Sequence, residues 1–126
     1  MFLMRLIKMK KVLYVEDYEM GRDMLSRRLV RKGFECICAA DGGQAVEFAH
    51  REHPDLIVID VSLPVKSSLE VTQELKAAED TKHIPMIILY TITEDRDKIL
   101  DAGCEDHQTK PIEFPALLAK INRLLY

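Results

Sequence analysis

Residues 54–64 read PDLIVIDVSLP. Within them Leu56, Ile57, Val58 and Ile59 are apolar without a break, so a strand here points apolar side chains to both of its faces. A sheet with one wet face shows alternation, whereas an unbroken run belongs to a parallel sheet covered on both sides. Pro54 closes any helix before it, because the residue preceding a proline is kept out of helical dihedrals. The strand then ends on a carboxylate, Asp60.

Working outward from this run, the same grammar repeats on both sides. Val12–Val15 and Met86–Leu89 are further apolar strands, Phe34–Ala40 alternates Phe34, Cys36 and Cys38 with Glu35, and His107–Thr109 is a short fifth. Helical spacing separates them. It runs over Glu19–Lys32, with Met20, Met24, Leu25 and Leu29 and a stop at Gly33, then over Gly43–Glu52 and Leu69–Ala78. It resumes over Thr93–Ala102, which ends at Gly103, and closes with a helix whose stripe is Phe114, Leu117, Leu118, Ile121, Leu124 and Leu125. Five β–α units with short connections predict a doubly wound α/β fold built on a five-stranded parallel sheet. Residues 1–9 read as an N-terminal extension and 10–126 as one domain.

Composition narrows the class. A chain of 126 residues that is 48% hydrophobic is long enough for one core and too apolar for disorder. Its net charge of −3 and its lack of Trp argue against direct nucleic-acid binding or a base-stacking platform. No apolar stretch approaches the roughly 20 residues of a membrane-spanning helix. Three cysteines, none in a CxxC pair, read as reduced thiols in a cytoplasmic protein.

In a doubly wound sheet the functional crevice lies at the carboxyl ends of the strands. Strand one ends in Glu16-Asp17, strand three in Asp60, strand four in Tyr90-Thr91, and strand five in Thr109-Lys110-Pro111. A lone strand-end carboxylate is usually a solvated loop residue. Three of them crowded on one edge repel unless a cation neutralises them. Oxygen-only ligands with room for water suit Mg²⁺, and a lysine ammonium suits a phosphoryl oxygen. The residues alone therefore suggest a Mg²⁺-dependent phosphate-handling site.

The chain resembles the receiver domain of response regulators in two-component, or phosphorelay, signalling. The resemblance rests on KKVLYVED at 10–17, PDLIVIDVSLP at 54–64 and AGCEDHQTKPIE at 102–113, and covers Lys11 to Leu125. It implies the flavodoxin-like (β/α)5 fold with strand order 2-1-3-4-5. Asp60 would then be the phosphoacceptor for a phosphohistidine on a sensor histidine kinase or histidine phosphotransfer protein. Asp17, Glu16 through water, Asp60 and the Ser62 backbone carbonyl would hold Mg²⁺. Lys110, followed by a cis bond to Pro111, would bind the phosphoryl group, with a downstream effector protein or output domain reading the result. Apart from its own phosphorylation and dephosphorylation, such a domain is expected to be no enzyme.

Three departures from the family's pattern stand out. Ser67-Ser68 replace the usual acidic residue and glycine, and Ser68 is expected to cap the third helix. Tyr90 falls where the family's small switch hydroxyl sits, so either Tyr90 or Thr91 would fill the phosphoryl-binding switch role, Thr91 through a one-residue register shift. His107 takes the place of the family's aromatic switch residue. The alternative function is a degenerate receiver that serves as an unphosphorylated protein–protein scaffold. A strand-end-Asp phosphatase fits less well, because it needs a second acidic residue where Ser62 stands. A dinucleotide-binding domain is excluded by the lack of GxGxxG at the first helix.

Overall fold

The computed structural model describes residues 9–126, and apart from Met9 the extension expected at 1–9 lies outside the described residues. Five strands, β1 (Lys11–Val15), β2 (Glu35–Ala39), β3 (Leu56–Asp60), β4 (Met86–Tyr90) and β5 (Asp106–Thr109), form one sheet in the order β2-β1-β3-β4-β5. Every pairing is parallel. The helices between and after them are α1 (Glu19–Arg31), α2 (Gly42–Glu52), α3 (Ser68–Ala77), α4 (Arg96–Asp101) and α5 (Phe114–Leu125).

Covering both faces of the sheet is what the unbroken strands require. All five residues of β3 and of β4 are buried. On one face Leu13, Val15, Ile57, Ile59 and Ile88 pack against Ala45 and Ala49 of α2, Val71 and Leu75 of α3, and Ile99 of α4. On the other, Val12, Tyr14, Val58, Ile87 and Leu89 meet Leu25 and Leu29 of α1 and Leu117 and Ile121 of α5. Each fully buried Leu or Ile contributes roughly 1.5–3 kcal/mol, so the two layers together fix the sheet order.

Several local expectations change. Met20 and Met24 share helical spacing with Leu25 and Leu29 but are exposed, so the buried stripe of α1 is narrower than the sequence predicts. The N-cap of α3 is Ser67, whose hydroxyl accepts the Glu70 N–H. Ser68 is instead buried in the first turn, where its hydroxyl donates to the Val61 carbonyl at 2.9 Å. The fourth helix begins at Arg96 rather than Thr93. The Asp95 side chain caps it by accepting from Asp97 and Lys98, while Glu94 N–H turns back to the Thr91 carbonyl. Residues 91–95 are thereby committed to a turn and a cap.

The loop between β3 and α3 carries one strained residue. Val65 has φ +71° and is 84% exposed. A β-branched side chain in the left-handed region costs about 1–2 kcal/mol, with no packing here to offset it. Val65→Gly should raise stability by roughly 0.5–1 kcal/mol once the added freedom of the unfolded glycine is deducted. Urea denaturation measures this directly, and a loss of stability would contradict the turn geometry.

Candidate functional site

The strand order reverses between β1 and β3, which lie side by side while their chains continue to opposite edges of the sheet. Asp60, at the end of β3, is buried, with 3% of its surface exposed. Its Oδ1 accepts the Ser62 N–H at 3.0 Å, and its Oδ2 is ion-paired to the Lys110 ammonium from the end of β5. Lys110 is placed by its own backbone, whose N–H donates to the Tyr90 carbonyl at 2.8 Å, and the Lys110–Pro111 peptide is cis. A buried carboxylate is costly unless paired and hydrogen-bonded, and this one is both.

Glu16 and Asp17 follow β1. Glu16 is half-buried, and its carboxylate accepts the phenol of Tyr14, two residues earlier on the same face of the strand. Burial raises the Glu16 pKa above the ordinary carboxylate value. The Tyr14 hydrogen bond opposes that rise, Asp60 adds to it, Lys110 opposes it, and Asp17 adds to it. Glu16, Asp17, Asp60 and Lys110 thus share one electrostatic site. The Tyr14 phenol is itself pushed well up by burial and by Glu16, so it stays a proton donor. Gly21 makes the arrangement possible, since a Cβ there would lie 2.5 Å from Glu16 Oε1. Asp17 is exposed at the mouth. Arg22 fixes the loop backbone, its Nη1 donating to the carbonyls of Glu16 at 2.8 Å and Asp17 at 3.3 Å.

Sequence reasoning missed Tyr14, Gly21 and Arg22. A tyrosine two positions before Glu16 in an otherwise aliphatic strand was the available signal. The pairing of Glu16 with it depends on a glycine in another element and had none.

The donors on this edge are carboxylate oxygens of Glu16, Asp17 and Asp60 and the nearby Ser62 carbonyl. An oxygen-only set fits a hard divalent cation such as Mg²⁺. Among the described residues no three His, Cys, Asp or Glu side chains close into a metal cage.

The Tyr90–Thr91 edge is built without a register shift. Asp60 pairs with Leu89 and Tyr90 with Thr109, and β4 ends at Tyr90. The Tyr90 ring, 5% exposed, belongs to the core that faces α2, α3 and α4. Its hydroxyl lies 3.2 Å from Nδ1 of His107, with the two ring centroids 5.6 Å apart. Burial, then Arg96, lowers the His107 pKa, which keeps the imidazole neutral near pH 7 and leaves Nδ1 free to accept from the phenol. Thr91 lies just past the strand, half-buried, with its hydroxyl 2.9 Å from Thr93 Oγ1 and 3.1 Å from Glu94 Oε1.

Comparison with known proteins agrees with this geometry. The sequence matches the response regulator receiver domain family over residues 12–122. It is 36% identical over 118 residues to the polar-differentiation response regulator DivK of Brucella ovis, covering 92% of this chain and 96% of that protein. The receiver domain of sensor histidine kinase PA1611 from Pseudomonas aeruginosa, with a magnesium ion coordinated in its active-site cleft, superposes with a TM-score of 0.88 at 31% identity. That match covers 94% of this chain and 98% of the other. The receiver domain of Ssk1 from Saccharomyces cerevisiae, solved in complex with the histidine phosphotransfer protein Ypd1, superposes with a TM-score of 0.85 at 26% identity. There the match covers 93% of this chain and 89% of the matched chain.

Proposed function

The chain belongs to the response regulator receiver domain family of two-component signalling, and on that premise we propose that residues 10–126 form a working phosphoacceptor. Asp60 takes a phosphoryl group from a phosphohistidine on a sensor histidine kinase or histidine phosphotransfer protein. One carboxylate oxygen of Asp60 forms the new O–P bond as the N–P bond breaks and the imidazole leaves with its electron pair. The observation that carries this reading is the buried Asp60 carboxylate, held on one oxygen by Lys110 and on the other by the Ser62 N–H. Phosphoryl transfer needs positioning and charge neutralisation more than covalent help, and that is what these contacts offer.

Asp17, Asp60, the Ser62 carbonyl and, through water, Glu16 would hold Mg²⁺. The bound ion supplies charge neutralisation for the phosphoryl oxygens. Lys110 changes partner, from the free Asp60 carboxylate to the phosphoryl oxygens. The receiver complex of Ssk1 with Ypd1 supports a histidine-bearing donor as the partner. The test is incubation of the full chain with acetyl phosphate. One acid-stable, base-labile phosphoryl group per chain is expected with Mg²⁺ and next to none with chelator. No incorporation under either condition would favour the unphosphorylated scaffold.

Thr91 takes the switch role in this proposal from its place just past β4, without the register shift first expected for it, because the Tyr90 hydroxyl is engaged by His107. Its hydroxyl is held, among the described residues, by neighbours in its own turn, Thr93 and Glu94. Phosphorylation should alter amide exchange across residues 91–102 in the parent chain. Tyr90→Phe should leave that response intact, and Thr91→Ala should diminish it severalfold. The reverse pattern would assign the switch to Tyr90.

A further inference from the structure

We propose that Tyr14 is a positioning residue for the metal site, whose buried phenol tethers the Glu16 carboxylate where it can hold a water of the bound Mg²⁺. The proposal rests on the phosphoacceptor reading above and adds to it a residue from inside the sheet. Tyr14 lies in β1 and Glu16 directly after it, two positions on, so both side chains leave the same face. The Tyr14 ring is 1% exposed and packs in the core beneath α1 and α5, with Leu25, Leu29, Val58 and Leu89. A ring gripped in this way does not turn aside. Its hydroxyl is a fixed donor, and the Glu16 carboxylate accepts from it.

A glutamate needs such a tether more than an aspartate would. Its extra methylene adds a rotatable bond, and a longer side chain loses more rotamer freedom when it is fixed. Glu16 also has somewhere else to go. A cavity of about 240 Å³ opens beside it, lined also by Gly21, Met24, Arg28 and Ile112. An untethered carboxylate can swing into that space toward the Arg28 guanidinium. Held by the phenol, it interacts instead with Asp60, Lys110 and Asp17. A carboxylate offers about four acceptor positions, so the bond from Tyr14 leaves others for a metal-bound water.

Gly21 supplies an independent observation. It lies in the first turn of α1 with helical backbone, not the left-handed kind that calls for glycine. Glycine is disfavoured against alanine inside a helix. What requires it here is the carboxylate, since a Cβ would lie 2.5 Å from Glu16 Oε1 and 2.9 Å from both Cδ and Oε2. Tyr14 and Gly21 thus form the two sides of one seat. The atoms that a Cβ would meet are the far end of a flexible side chain. Gly21→Ala should therefore displace the carboxylate and leave the helix in place.

The experiment titrates the full chain with Mg²⁺ and follows the amide NMR shifts. It compares the parent, Tyr14→Phe, Gly21→Ala, and Glu16→Ala with and without Tyr14→Phe. Partners of metal-site groups typically carry 10- to 100-fold in affinity, and Glu16 acts through water, so Tyr14→Phe should raise the Mg²⁺ Kd by about tenfold. Gly21→Ala should raise it by a similar factor. In the Glu16→Ala background, Tyr14→Phe should change Kd by less than about twofold, because no carboxylate remains to be placed. A phenol that served packing alone would weaken binding equally in both backgrounds, and that result would overturn the proposal. Unchanged or tighter binding by Tyr14→Phe or by Gly21→Ala, with Glu16 in place, would overturn the tether and leave the phosphoacceptor reading standing. A parent chain that binds no Mg²⁺ would overturn both. Phe keeps the buried ring, and Gly21→Ala reaches the same carboxylate by a separate route should the Tyr14 variant fold poorly.

Discussion

Gly42→Ala should destabilise the chain by about 1–3 kcal/mol, the range for forcing atoms into a filled space, and lower its rate of phosphorylation. A Cβ on Gly42 would lie 1.9 Å from the Lys66 carbonyl oxygen and 2.7 Å from its carbon. Those are backbone atoms, so no rotamer change relieves the clash. The Gly42 N–H also donates to the Pro64 carbonyl at 3.3 Å, and that contact is lost if the loop retreats. The loop so displaced runs from Asp60 to α3 and carries Ser62, whose N–H holds the Asp60 carboxylate. Gly43→Ala is the control, since its Cβ would meet only the Asp41 side chain at 3.2 Å and Val65 at 3.5 Å. Urea denaturation of the two variants should separate them clearly. Equal stability would show that the β3–α3 loop does not pack against the start of α2.

The sheet and its acidic edge were legible in the sequence because both are written in local patterns. An unbroken apolar run such as Leu56–Ile59 allows only a covered strand, and the residue that ends each such run must stand at the sheet's carboxyl edge. What was not legible depends on contacts between elements. Met20 and Met24 have the spacing of a buried stripe, yet they are exposed because α1 seats only Leu25 and Leu29 on the sheet. The fourth helix loses its first turn to the Thr91–Glu94 and Asp95 hydrogen bonds, which compete with the helix for the same backbone groups. Ser67 and Ser68 are equally good capping residues by type. Which one caps is decided by the Val61 carbonyl that draws Ser68 inward. At the site itself, Asp60 and Lys110 were named from spacing, while the support of Glu16 by Tyr14 across Gly21 became visible only in three dimensions.

Asp60→Asn gives the most direct test of whether this edge is a phosphoacceptor. Asn keeps the size of the side chain and can still accept the Ser62 N–H, so the variant should fold and melt cooperatively. Its amide is a poor nucleophile toward phosphorus and cannot form the acyl phosphate. With Mg²⁺ and acetyl phosphate, intact mass should show one base-labile phosphoryl group on the parent chain and none on Asp60→Asn. A folded Asp60→Asn chain that still gains the group to the parent's extent would contradict the account.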